Sequence, residues 1–336
     1  MLKRILIVAP AWVGDAIMAQ PLYARIKARH PDALIDVLAP AWTRPLHARM
    51  AEINDLIDAP FTHGELKLRE RWALARQIKA RGYHQAIVLP NSLKSALVPF
   101  FAGIAKRTGW LGEMRYGLLN DARELDPILL PQMAQRFYAL GADAGVPLTE
   151  AMPFPVLTIN ADARDATVRK LGLSLDTPIV AICPGAEYGP AKRWPAVHAA
   201  ALANRLIAEG QQVWLLGSNK DQEICSEIRQ LAPQVLDLAG KTSLAEAIDL
   251  MSLASSVVCN DSGLMHVAAA LQRPLVAVFG SSSPSFTPPL AIKAKIVTLD
   301  LECSPCFARV CPLGHMNCLN QLEADLVYTA LNKLKT

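Results

Sequence analysis

Residues 257–280, VVCNDSGLMHVAAALQRPLVAVFG, read as a β-branched strand, a short polar turn, a helix and a second buried strand. The turn is where chemistry can sit. Asp261 or Ser262 is placed to cap the helix, and Gly263 leaves the backbone open where the helix begins. Unpaired N–H groups at such a start, reinforced by the helix dipole, attract an anion. Pro274 stops the helix, and LVAVFG then runs into the loop SSSP. A phosphate suits this geometry, because ligands of open parallel sheets bind at the carboxyl ends of the strands. An ordinary strand–helix–strand unit with a capping aspartate satisfies the same pattern.

Three other loops share this grammar. The first strand ends in APAWVGDAIMAQP, where Gly14 permits close approach of a ligand and Asp15 is either a carboxylate aimed at a substrate or a first-turn acid complementing the helix dipole. PGAEYGPAKRWP, residues 184–195, joins strand to helix with Lys192 and Arg193 close behind; a lysine there can neutralise a diphosphate or simply be solvated. In LLGSNKDQE, Asn219 or Asp221 can meet ribose hydroxyls or cap the next helix. No GK[ST] ending and no GxGxxG occurs, which removes the main support for an ATPase or a nicotinamide dehydrogenase.

The elements that must position these loops alternate between apolar strands and amphipathic helices through both halves of the 336 residues, the signature of an α/β fold with parallel sheets. Pro and turn residues at 147–160 mark a linker. The economical architecture is two doubly wound Rossmann-like domains facing a cleft: 1–155, 156–320, and a terminal helix in 321–336 that is free to pack back on the first. An apolar content of 52% supplies two cores, and a net charge of +4 favours acidic or phosphorylated partners without an RNA-binding signature. The N-terminus shows no apolar run followed by a cleavage site, which reads as cytoplasmic. The apolar stretch SALVPFFAGIA is far short of the roughly 20 residues that span a bilayer, so membrane contact is expected to be peripheral.

Of seven cysteines, Cys183, Cys225 and Cys259 sit in apolar runs and are expected in the core. Cys303, Cys306, Cys311, His315 and Cys318 are spaced C-x2-C-x4-C-x3-H-x2-C, a pattern that could surround zinc. Pro305 and Pro312 constrain the loop and one ligand is surplus, so no structural zinc is expected at Cys303, Cys306, Cys311 and Cys318.

Together, WVGDAIMAQP, PGAEYGPAKRWP, GSNKDQE and NDSGLMHVAAAL resemble the motif set of the lipopolysaccharide heptosyltransferases, inverting glycosyltransferases of the GT-B fold, over nearly the whole chain. PNSLKSALVPF, RTGW, MRYGLLND, CSPCF and CPLGH resemble the heptosyltransferase II branch, which adds the second heptose of the inner core. The resemblance implies an acceptor-binding first domain and a second domain that binds ADP-heptose. It implies that Asp15 beside Gly14 is the general base and that Lys192 meets the diphosphate. Asp261, Ser262, Gly263 and His266 then line the donor phosphates and sugar, Asn219 or Asp221 meets the ribose, and Thr242 lies by the base. His266 is positional in this reading. The acceptor is an acidic inner-core glycolipid reached at the inner face of the cytoplasmic membrane, with Lys94, Arg107 and Arg115 as candidate contacts; nucleic acid is not a partner. Trp12 and Trp194 either touch sugar faces or pack beside strand ends. Lys192 and the absence of a DxD-like pair at a strand end predict metal independence. The alternatives are a nucleotide-sugar epimerase or hydrolase of the same architecture, another heptosyltransferase branch, and, least favoured, a non-enzymatic sugar-binding protein.

Overall fold

A computed structural model describes residues 3–61 and 65–334, and the chain divides into two compact units, Met1–Pro155 and Val156–Thr336. In the first unit, RILIV forms β1 (Arg4–Val8), its apolar run buried as expected for a central strand covered on both faces. The other strands are β2 (Leu34–Pro40), β3 (Asp55–Ala59), β4 (Gln85–Val88), β5 (Lys106–Trp110) and β6 (Asp121–Arg123), all parallel, in the order β3-β2-β1-β4-β5-β6. The strand order reverses between β1 and β4, so the crevice at their carboxyl ends is the place where such a sheet binds ligands. Helix Leu68–Lys79 turns Arg71, Leu74, Ala75 and Ile78 inward at helical spacing. Leu74, Ala75 and Ile78 pack with Val8, Val88 and Ile104.

The second unit repeats the plan with β7 (Ile179–Cys183), β8 (Gln212–Leu215), β9 (Leu236–Asp237), β10 (Ser256–Asn260), β11 (Leu275–Val278) and β12 (Ala294–Val297), again all parallel, ordered β12-β11-β10-β7-β8-β9. Its reversal lies between β7 and β10. Helix Ala196–Ala208 lays Ala199, Leu202, Ala203 and Leu206 on the sheet, each Leu contributing roughly 1.5–3 kcal/mol by burial. The sequence allows the last helix to return to the first unit; instead Val327 and Leu331 of Ala324–Asn332 are buried in the second unit's core. Among the described residues no helix is long and apolar enough to cross a membrane.

Candidate active site

The second unit's crossover point gathers Lys192, Asp261 and the start of helix Gly263–Ala270. Asn260, which ends β10 and is 2% exposed, donates from Nδ2 to the Pro184 carbonyl at 2.5 Å and accepts the Trp194 N–H on Oδ1 at 3.2 Å. One side chain thereby pins both ends of the loop that carries Lys192. The Lys192 ammonium stands 2.5 Å from Asp261 Oδ2, and Asp261 is 5% exposed. Asn260 was not among the expected site residues; its signal is an amide closing an otherwise apolar strand.

Helix Gly263–Ala270 starts from Ser262 in extended conformation, and no side chain caps it. The expected cap by Asp261 or Ser262 is thus corrected. Asp261 is engaged by Lys192, while the Ser262 hydroxyl is buried without a hydrogen-bond partner. Ser281 and Ser282, just past β11 on the same sheet edge, and Thr242, past β9, also carry buried hydroxyls without partners. A buried polar group left unmade costs about 1–3 kcal/mol, so an uncapped helix start among such hydroxyls is set up to receive a polar ligand. Thr242 and Ser262 were expected at the site; Ser281 and Ser282 were hidden in a serine-rich loop.

His266, 3% exposed in the first turn of this helix, has its pKa lowered to about 4, chiefly by burial, with Asp261 opposing and Lys192 adding to the shift. It is neutral at pH 7 and offers a hydrogen-bonding group without charge. His47, buried in the first unit, is also lowered to about 4 by burial. Between the ordinary histidine value of 6.5 and about 4, the unfolded chain binds more protons than the native one, so stability is lost as pH falls through that window. The thermal midpoint should drop correspondingly, and His266→Gln should flatten part of the drop; an unchanged slope would mean that native His266 accepts the proton.

On the outer side of the same edge, Asp221 Oδ2 accepts from the Ser218 N–H and hydroxyl, both at 2.8 Å, in a capping box. Its carboxylate also fills the space where Gly185 and Gly217 would carry a Cβ. Asn219 Oδ1 lies against Gly240, whose φ of +70° suits glycine. Trp194 is 2% exposed, and its indole donates to the Leu322 carbonyl at 2.7 Å, so it is a core residue of the second unit.

In the first unit, Gly14 and half-buried Asp15 occupy the first turn of helix Val13–Met18, directly after β1, with exposed Trp12 at its N-cap. The expected acceptor contact Arg115 is corrected. Arg115 is fully buried and donates to the Pro90 and Trp110 carbonyls, stapling the loops after β4 and β5 together. Burial lowers its pKa. Arg107 donates to the Leu118, Ile104 and Gly117 carbonyls. Lys94 lies half-buried, its carbonyl accepting from Arg71.

Cys183, Cys225 and Cys259 are buried, and all seven cysteines are free thiols. Cys303, Cys306, Cys311, Cys318 and His315 surround a cavity of about 20 Å³. The Met316 N–H, with those of Leu313, Gly314 and His315, holds the Cys311 thiol below its usual range, whereas burial pushes Cys318 up. Among the described residues no group of three or more His, Cys, Asp or Glu side chains stands ready to hold a metal ion.

The family model for glycosyltransferase family 9 (heptosyltransferase) matches residues 71–317. Lipopolysaccharide heptosyltransferase 2 of Escherichia coli K12 is 50% identical over 306 residues, 88% of each chain. Lipooligosaccharide heptosyltransferase 2 of Haemophilus influenzae is 48% identical over 308 residues, again 88% of each. The solved structure of E. coli ADP-heptose lipopolysaccharide heptosyltransferase II superposes with a TM-score of 0.89 at 45% identity, covering 99% of this chain and 98% of that one. The paired sheets with their reversed crossovers are those of the GT-B heptosyltransferase structures. With two doubly wound units, a lysine-braced open helix start and relatives of this identity, the chain belongs to glycosyltransferase family 9, the heptosyltransferases.

Proposed function

We propose that the protein transfers L-glycero-D-manno-heptose from ADP-heptose to the first heptose of the lipopolysaccharide inner core, with inversion at the anomeric carbon. The observation that carries this reading is the meeting of Lys192 with the uncapped start of helix Gly263–Ala270 at the crossover of the second sheet. Negative charge grows on the diphosphate as the glycosidic bond to ADP breaks, and fixed N–H dipoles beside an ammonium stabilise it without reorganisation. Asp261 holds Lys192 in position and Ser262, Gly263 and His266 line the same turn, while Asn219, Asp221 and Thr242 form the nucleoside side. Asp15, on the first unit, takes the proton of the attacking acceptor hydroxyl. No step in this scheme requires a metal ion. Binding of a glycolipid acceptor by the first unit brings the protein to the inner face of the cytoplasmic membrane as a peripheral visitor.

The test is incubation of the purified protein with ADP-heptose and a single-heptose lipopolysaccharide, followed by mass spectrometry. The expected result is an acceptor heavier by one heptose, together with free ADP. Consumption of the donor with no change in the acceptor would support the hydrolase or epimerase alternative instead.

A further inference from the structure

The segment 301–318 carries the spaced cysteines, yet its backbone is fastened to both phosphate-side loops. The Ser304 hydroxyl donates to the Gly280 carbonyl, the Phe307 N–H to the Ser281 carbonyl and the Tyr188 hydroxyl to the Phe307 carbonyl, each at 2.6 Å. The Ala191 N–H, next to Lys192, donates to the Arg309 carbonyl at 3.1 Å. Gly189 packs so tightly that a Cβ there would stand 2.5 Å from that oxygen, and its φ of +157° disfavours any other residue.

These bonds hold Arg309 beside Lys192, and both cations address one ring. The Lys192 ammonium is 4.9 Å and the Arg309 guanidinium carbon 5.1 Å from the centre of Tyr188. The two differ in what neutralises them. Lys192 is already offset by Asp261, and His266 beside them is neutral, so the pair presents little net positive charge to a multiply charged diphosphate. Arg309 is exposed and pairs with no carboxylate among the described residues. Its planar fork is suited to phosphate oxygens.

We propose that Arg309 is a second cation for the donor's diphosphate, presented by the cysteine-bearing segment to supply the charge that Asp261 takes from Lys192. The inference rests on the ADP-heptose reading above. Its test is binding of ADP and of adenosine to the full-length wild type, Arg309→Gln and Arg309→Lys by calorimetry or NMR titration. Arg309→Gln should weaken ADP about 10–100-fold, the size of a lost charge-assisted contact, while adenosine binding stays within about twofold. Arg309→Lys should recover part of the ADP affinity because it restores the charge without the fork. Equal weakening of ADP and adenosine would indicate a purely structural arginine and overturn the proposal, as would unchanged ADP affinity in Arg309→Gln. Failure of the wild type to bind ADP would overturn the donor assignment itself, and this proposal with it.

Discussion

Asp15→Asn is expected to lower kcat for heptose transfer by about 10²–10⁴-fold while leaving ADP affinity unchanged, the signature of a lost general base. Asparagine keeps the shape of the side chain and its place in the first turn of Val13–Met18, but cannot accept the hydroxyl proton. Asp15 lies in the first turn of the helix, where an acid also complements the helix dipole. The competing role, complementing that dipole, is worth only about 0.3–1 kcal/mol of stability and nothing in rate. Steady-state kinetics on Asp15→Asn separate the two: a near-normal kcat would remove Asp15 as the general base.

The second large effect concerns the Lys192–Asp261 pair. Lys192→Met removes the cation proposed to face the leaving diphosphate, and transfer should fall about 10²–10³-fold, as when a preorganised electrostatic group is deleted. It also strands the nearly inaccessible Asp261 carboxylate, which should cost about 3–5 kcal/mol of stability. Adding Asp261→Asn should return most of that stability, because an amide tolerates the loss of its partner, yet leave transfer impaired. Denaturation midpoints and kcat/KM of the two single variants and the double variant decide the matter. Recovery of both stability and transfer in the double variant would show that Lys192 serves only to neutralise Asp261.

Much of this arrangement is legible in the sequence because its signals are local. IVAIC, SVVCN and LVAV are short apolar runs ended by polar turns, and each is a buried strand of the second sheet. Gly14, Asp15, Lys192 and Asp261 stand out because they follow such runs, at the sheet edge where ligands bind. Charged residues in KRTGW and DAR conceal β5 and β6, whose pairing with β4 and with each other depends on partners distant in sequence. Capping escapes a reading of the sequence for a similar reason. An aspartate before a helix is a good cap in isolation, but Lys192, 69 positions away, takes its carboxylate and leaves the helix start open. Arg115 looks like a surface cation until the loops after β4 and β5 close over it, offering carbonyls that no periodicity reveals. The attachment of the cysteine-bearing segment to Gly189, Ala191 and Ser281 is likewise tertiary and leaves no signal in the cysteine spacing.

A crystal structure with ADP bound tests the central claim most directly. The account predicts diphosphate oxygens within hydrogen-bonding distance of the Lys192 ammonium and of the N–H groups that open helix Gly263–Ala270. ADP held elsewhere, with the Lys192–Asp261 pair and that helix start untouched, would contradict it.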